Sequence, residues 1–246
     1  MRILSLSYII AVAVSMLANT ANAAPVVYLG NTNAGFGGTV GGGSLSINDV
    51  GADLNFVFSR GAGTLGNALV IYIDSVAGGF GSTSSFTDTA DGLRRAISGN
   101  DDGPNQTVAT FASGFNADYA IAFDASFAGL WTLQSGSHTF IAALGLSPTG
   151  NVAAASHSFS VAQSDLGLGD GASMSFVGTY ISDTGFRSNE AIGSIGAGGN
   201  PGFTGGITFT DSRSFTTTAV PEPTSMILLS VAGLGFAGMR LRKRTA

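Results

Sequence analysis

Short runs of apolar, β-branched and aromatic residues fill the middle of the chain, and Gly, Asn, Asp and Ser separate them. Nine of these runs have the length and composition of β-strands. They are Asp53–Phe58, Ala68–Ile73, Thr107–Phe111, Tyr119–Phe123, Gly129–Leu133, Thr139–Ala143, His157–Val161, Met174–Ile181 and Ile207–Thr210. Because a 3.6-residue period is almost missing between them, the pattern predicts an all-β fold over residues 24–218, a single antiparallel β-sandwich of jelly-roll-like type.

One short helix interrupts this pattern. Asp91 precedes Gly92–Ile97 and is a residue type that caps helix N-termini, while Gly99 follows and favours the left-handed turn that ends helices. The most glycine-rich segments, residues 30–46 and 193–206, are predicted to be long loops or edge hairpins.

The N-terminus has the three parts of a secretory signal peptide. Arg2 is charged, Ile3–Leu17 is apolar, and Ala21-Asn22-Ala23 is a small-x-small cleavage sequence in which Ala21 and Ala23 are the recognition positions. The sequence therefore predicts an N-terminal signal helix within residues 1–23, export, and removal of that segment.

The C-terminus has a different order of parts. Pro221-Glu222-Pro223 is held extended by its prolines, an uncharged apolar run predicts a membrane helix over residues 225–239, and a basic tail follows at 240–244. The cations of this tail, which are costly to translocate and should stay cytoplasmic, are Arg240, Arg242, Lys243 and Arg244.

This tail resembles the PEP-CTERM sorting signal of Gram-negative bacteria, and the resemblance covers residues 219–246. It implies that an exosortase-type membrane protease recognises Pro221, Glu222 and Pro223 and removes the tail. It also implies contact with the membrane before processing and delivery to the cell surface or extracellular matrix. The alternative is a plain C-terminal membrane anchor.

Charge and composition restrict the partners of the body. Residues 24–218 contain five arginines, no lysine and fourteen acidic residues, a formal net charge of −9. Such a surface repels nucleic acid, because phosphate binding needs clustered cations. The chain has no cysteine, which excludes disulfides and thiol chemistry.

Candidate catalytic motifs are few. Gly61–Gly66 matches G-x-G-x-x-G, but a predicted strand follows where a nucleotide site needs a helix, so a hairpin turn explains the glycines better. No serine has a G-x-S-x-G context, and His138 and His157 lie in predicted strands. We therefore expect a protein that is not an enzyme.

Acidic loops are the candidate metal site. Asp101 and Asp102 lie in an Asn-Asp-Asp-Gly segment, and Asp74 ends a predicted strand. Calcium takes oxygen ligands of this kind, so Ca²⁺ held by Asp74, Asp101 and Asp102 is one interpretation. A solvated turn is the other, because tight turns favour the same residues.

Aromatic side chains are the candidate sugar platforms. Trp131 and Tyr119 are the chosen pair, with Tyr72 and Tyr180 also considered, although core packing is the common fate of aromatic strand residues.

Three further segments are Ile73-Asp74, Asp91-Gly-Leu-Arg-Arg95 and Phe115–Ala122. Through them the body is similar to the DOMON and carbohydrate-binding sandwich group. Together these observations predict a surface or matrix protein that binds or scaffolds exopolysaccharide, as in a biofilm. An adhesin-like structural protein without sugar specificity and an unrecognised carbohydrate-active enzyme are the alternatives.

Overall fold

The computed structural model describes residues 24–101, 103–196 and 198–218, and these residues form thirteen strands, one α-helix and one 3-10 helix. The predicted signal helix and the predicted membrane helix at 225–239 lie outside them. The elements are β1 Val26–Leu29, β2 Ser44–Val50, β3 Asp53–Ser59, β4 Ala68–Asp74, α1 Gly92–Ser98, β5 Val108–Thr110, β6 Tyr119–Phe123, β7 Ala128–Thr132, β8 Thr139–Ala143, β9 Ser156–Ala162, the 3-10 helix Gln163–Leu166, β10 Ser173–Ile181, β11 Arg187–Ile192, β12 Gly206–Thr208 and β13 Arg213–Thr216.

Two antiparallel sheets form the body. The first has the order β1-β2-β3-β9, and the second has the order β11-β10-β4-β6-β7-β8 with β13 paired to β10. Strands β1-β2-β3 and β6-β7-β8 are meanders, which differ from the paired Greek keys of the expected jelly roll. Strands β5 and β12 form a separate parallel pair, which the prediction of a wholly antiparallel fold did not include.

The first hydrophobic core lies between the two sheets. Ile47 and Phe56 of the first sheet and Ile71, Phe123 and Phe176 of the second belong to one buried cluster. In β3, buried and partly exposed residues alternate, because a strand sends successive side chains to opposite faces. The two sheets therefore face each other across this core, as in the predicted sandwich.

The second sheet is also covered on its other face. Val70, Tyr72 and Val177 point away from the first core and belong to a second buried cluster with Ile97 of α1 and Phe111 of the following segment. This double cover explains why β4 is apolar without alternation. The second cluster does not extend fully over the outer strand β8, whose residues are partly or largely exposed.

The short helix matches its prediction. The Asp91 side chain accepts a hydrogen bond from the backbone amide of Arg94, and Gly99 closes the helix with φ of 71°. Helix α1 begins one residue after its cap and extends to Ser98.

Four strands were not predicted, namely β1, β2, β11 and β13. Strand β2 begins at Ser44, inside the segment predicted to be a long loop or an edge hairpin, and pairs with the edge strand β1. Leu45 and Ile47 alternate with polar residues after the last glycine. Strand β11 buries the polar residues Arg187, Ser188 and Glu190, so its sequence does not show the apolar residues that indicate a buried strand.

Candidate functional site

An open cleft lies on the outer face of the second sheet, beside α1. Its volume is about 630 Å³. Five parts of the chain meet there, namely the start of β4, the start of α1, the β6–β7 turn, strands β7 and β8, and the β10–β11 turn. The lining residues that carry the argument are Gly66, Asp91, Arg94, Asp124, Phe127, Trp131, Phe140 and Asp183.

Aromatic rings form one wall of the cleft. Trp131 and Phe140 are direct partners across β7 and β8, and their rings meet edge to face at 5.5 Å. Phe127 and Phe140 lie 6.4 Å apart with an interplanar angle of 31°. The side chains of Phe127 and Phe140 are 40% and 44% exposed, whereas Trp131 is 2% exposed. The wall is thus two accessible rings beside a buried indole.

Gly129 makes this wall possible. A Cβ atom at this position would lie 2.5 Å from the Trp131 ring and 2.9 Å from the Phe127 ring. Gly129 and Trp131 are two residues apart on the same face of β7, so the indole folds back over the glycine.

Arg94 is fixed over the indole. Its guanidinium carbon lies 5.8 Å from the centre of the Trp131 ring, within the range of a cation–π contact. One terminal nitrogen donates to the Asp91 carboxylate, and Nε lies 3.4 Å from Oδ2 of Asp88. This second contact is an ion pair without hydrogen-bond geometry. Two carboxylates therefore already balance the charge of Arg94.

The other two carboxylates of the cleft, those of Asp124 and Asp183, have fewer charged partners. Oδ1 of Asp124 accepts hydrogen bonds from the amides of Ser126 and Phe127, which forms the tight turn that presents Phe127. Asp183 is exposed, and its backbone carbonyl accepts a hydrogen bond from Nε of Arg95. Among the described residues, no cation forms an ion pair with the Asp124 or Asp183 carboxylate.

A buried polar group lies behind Arg94. His138 accepts a hydrogen bond at Nδ1 from the amide of Gln134, so its Nε2 carries the proton and donates to Oγ of Ser98. The His138 amide donates to Asp88. Burial lowers the pKa of His138 to about 4, opposed by the Asp88 charge and assisted by Arg94.

Ser98 and His138 are nevertheless unsuited to nucleophilic catalysis. Ser98 is fully buried, and Asp88 holds the backbone of His138 rather than its ring. A catalytic base needs its third residue on the ring nitrogen and a nucleophile that substrate can reach.

The predicted aromatic platform is divided by the sheet. Trp131 pairs with Ala120, and Tyr119 pairs with Thr132, so the two aromatic side chains point to opposite faces. Trp131 lines the cleft, whereas Tyr119 packs against the core between the sheets. Phe127 and Phe140, which the sequence analysis did not single out, are the exposed rings.

The other two tyrosines are core residues. The Tyr72 hydroxyl donates to the carbonyl of Ile97, and that of Tyr180 donates to the carbonyl of Thr64. Both side chains are fully buried, and burial raises the pKa of each phenol.

The proposed calcium ligands are not gathered in one place. Asp74 lies at the end of β4 that pairs with Ser175, and its carboxylate accepts from the amide of Asn116. The backbone of Asp101 lies beside Gly185, which belongs to the β10–β11 turn. This turn follows Ile181, which pairs with Ala68 at the opposite end of β4. Seven strand residues separate these ends by about 20 Å.

Asp101 is occupied by its own turn. Its carboxylate accepts hydrogen bonds from the amides of Gly103 and Asn105 and from the Asn105 side chain. Hydrogen bonding, above all from the Asn105 side chain, lowers the pKa of Asp101. Asp102 lies outside the described residues, within which no three His, Asp or Glu side chains are grouped for a metal. Calcium binding stays a prediction, which melting with calcium and then with chelator tests.

The glycine-rich segment 61–66 binds the side chain of Arg60 through its carbonyls and does not have the arrangement of a phosphate-binding loop. Arg60 donates to the carbonyls of Gly61, Ala62 and Gly63 and to those of Ala153 and Ala154. A phosphate loop would present amides instead. The segment is not the predicted hairpin turn, because β3 and β4 belong to different sheets and the loop crosses between them.

The residues predicted for export and sorting lie outside the described part of the chain. They are Ala21, Ala23, Pro221, Glu222, Pro223, Arg240, Arg242, Lys243 and Arg244. Within the described part, no helix has the length and apolar character needed to cross a membrane.

Comparison with known proteins identifies the tail. Residues 219–244 match the model of the PEP-CTERM protein-sorting motif. Neither a curated protein nor a solved structure matches the chain. The motif implies export across the inner membrane, processing by exosortase, which is a membrane protease, and a cell-surface or extracellular fate. The similarity of the body to DOMON-type modules has no support among these matches.

Proposed function

We propose that the exported body is a non-enzymatic glycan-binding module, which the sorting tail delivers to the surface to bind or scaffold exopolysaccharide. The observation that supports this function is the cleft. It combines the exposed rings of Phe127 and Phe140 with the side-chain oxygens of Asp124 and Asp183. Sugar rings have apolar faces that stack on aromatic rings and a hydroxyl rim that donates to carboxylates.

Trp131 offers a direct readout of this proposal. It is the only tryptophan of the chain and lines the cleft. Its intrinsic fluorescence therefore reports on the cleft without a label. Titration of the mature protein with neutral and charged oligosaccharides should change the emission in a saturable way.

Two variants locate the binding. Phe140→Ala removes an exposed ring and should weaken binding, because stacking area is lost. Phe203→Ala is the matched control, since Phe203 is also exposed, at 41%, but does not line the cleft. Equal affinity in wild type and Phe140→Ala would reject the cleft as the site.

The alternatives separate in the same assays. An adhesin-like protein without sugar specificity would bind none of the oligosaccharides. A carbohydrate-active enzyme would release reducing ends with time, and this would reject the non-enzymatic proposal.

Sorting is tested in the producing cell. We propose that Pro221, Glu222 and Pro223 are the elements that exosortase recognises. Their joint replacement by alanine should leave an uncleaved, membrane-retained protein, whereas normal release would reject this role. Replacement of Arg240, Arg242, Lys243 and Arg244 should instead impair retention of the precursor, because the basic stop is lost.

A further inference from the structure

The charge of the cleft is strongly unbalanced. Asp91, Asp124 and Asp183 line it, and Arg94 is the one cation among the described residues that line it. Asp91 and Asp88 both contact that cation, so its positive charge is already offset. Arg95 approaches through its contact with the Asp183 carbonyl, but it does not line the cleft. The carboxylates of Asp124 and Asp183 therefore set the sign that a ligand meets.

The aromatic wall also contains a buried polar group without a partner. The Trp131 side chain is buried, yet its indole N–H has no acceptor within the described part of the chain. A buried donor without a partner costs free energy. Because this nitrogen is itself buried, a ligand oxygen in the cleft could reach it only if the wall shifts.

We infer that the cleft selects glycans that carry protonated amino groups, such as de-N-acetylated hexosamine polymers, over neutral glycans and over uronic acids. The inference rests on the proposed glycan-binding function. Stacking on Phe127 and Phe140 gives affinity for the sugar ring, and Asp124 and Asp183 receive the ammonium groups. A uronate would instead meet carboxylates of its own sign, in a body whose net charge is −9.

The decisive comparison uses three hexamers, one positively charged, one neutral and one negatively charged. A glucosamine hexamer and its fully N-acetylated form share the same backbone, and a galacturonate hexamer has the opposite sign. Each is titrated into mature protein recovered from the producing cells, with Trp131 emission and calorimetry as readouts. We expect the glucosamine hexamer to bind about five-fold or more tightly than the N-acetylated form at about 0.05 M salt, and less selectively at about 0.5 M.

Variants assign the selectivity to two carboxylates. Asp124→Asn keeps the Oδ1 acceptor that forms the turn, and Asp183→Asn is isosteric at an exposed position. Each should weaken glucosamine binding by about two- to five-fold and leave the N-acetylated ligand unaffected. The controls are Asp53→Asn and Asp170→Asn, each of which removes one negative charge from an exposed position outside the cleft.

A steric variant distinguishes cleft binding from general attraction to an acidic protein. Gly66 lines the cleft, and a Cβ there would meet no atom within 4 Å, so the backbone has room for the first side-chain atom of Gly66→Leu, which should narrow the cleft. Gly136→Leu is equally open and lies elsewhere. Gly66→Leu should lose binding, and Gly136→Leu should keep it.

The outcomes separate the inference from the function beneath it. Equal affinity for the two matched hexamers, or tighter binding of the uronate, overturns the inference and leaves glycan binding intact. Glucosamine binding that survives Gly66→Leu, or that falls equally in the Asp53→Asn and Asp170→Asn controls, also overturns it. Binding of none of the three overturns both.

Discussion

The Glu190 carboxylate accepts a 2.7 Å hydrogen bond from the backbone amide of Val40, which lies 150 residues away in the chain. The other amides that donate to it are those of Phe36, Gly38 and Gly41. Glu190 is fully buried in β11. One carboxylate thus organises a glycine-rich loop that has no regular structure of its own.

Replacement of Glu190 by glutamine should destabilise the fold. The amide group of glutamine has one acceptor oxygen, so its NH₂ would face backbone N–H groups of the loop. Buried donors would lose their partners, and we expect the free energy of unfolding to fall by about 2–4 kcal/mol. For a domain of this size the melting temperature would drop by roughly 5–15 °C.

Asp53→Asn is the control for Glu190→Gln. It makes the same change of charge at an exposed position. If both variants melt at the wild-type temperature, the hydrogen bonds from the four backbone amides to Glu190 do not stabilise the loop.

Acid should destabilise the protein through its buried histidines. Burial lowers the pKa of His138 from 6.5 to about 4, so the folded state favours the neutral ring. The stabilisation is complete above pH 6.5 and is lost as the pH falls toward 4. Linkage gives a loss of about 3 kcal/mol from this residue. Denaturant unfolding at several pH values measures it.

His157 must be separated from His138 in that experiment. Burial also lowers the pKa of His157, whose Nε2 donates to the carbonyl of Asn151. His138→Gln should flatten the dependence of stability on pH more than His157→Gln does, whatever each does to stability at neutral pH. An unchanged slope in His138→Gln would contradict the assignment.

Local patterns in the sequence predicted the local parts of this fold. Asp91 and Gly99 mark the ends of α1 in the sequence, because the residues preferred at helix ends are determined by hydrogen bonds and backbone angles within a few residues. Strand β3 and strand β9 alternate in a way that the sequence displays directly. Strand β11 was missed because it buries the charged residues Arg187 and Glu190, whose partners include Thr107 and Val40, far away in the chain.

The cleft was only partly predictable for the same reason. Trp131 was singled out as an aromatic residue, but its neighbour Phe140 becomes visible only through the register of β7 and β8. Phe127 depends on the turn formed by Asp124. No spacing rule connects these residues to Asp183, which reaches the cleft through the β10–β11 turn.

The last strand should be essential to the body. Phe215 of β13 is 5% exposed and belongs to the core between the sheets. The Thr217 hydroxyl donates to the carbonyl of Gly169, and the Thr218 amide donates to Asp49 at 2.6 Å. These contacts occupy the residues immediately before the matched sorting motif.

A pair of truncated chains tests this role of β13. Residues 24–218 should give a β-type circular dichroism spectrum and a cooperative melt. Residues 24–211 lack β13, so the loss of the Phe215 side chain alone should cost about 3–5 kcal/mol. Equal melting temperatures for the two would show that β13 is dispensable, and a disordered spectrum for residues 24–218 would reject an independent body.

The shape of the cleft should also change when a single methyl group is added beneath its aromatic wall. In Gly129→Ala, the new Cβ would lie 2.5 Å from the Trp131 ring and 2.9 Å from the Phe127 ring, so both rings must shift. Overpacking of this kind costs about 1–3 kcal/mol. Because Trp131 is the only tryptophan, its emission should change in the folded variant, and glycan affinity should fall with it. Gly136→Ala, whose Cβ would meet no atom within 4 Å, is the control and should keep the wild-type emission and affinity. Unchanged emission in Gly129→Ala would mean that the indole does not lie over this glycine, and the aromatic wall as described would be wrong.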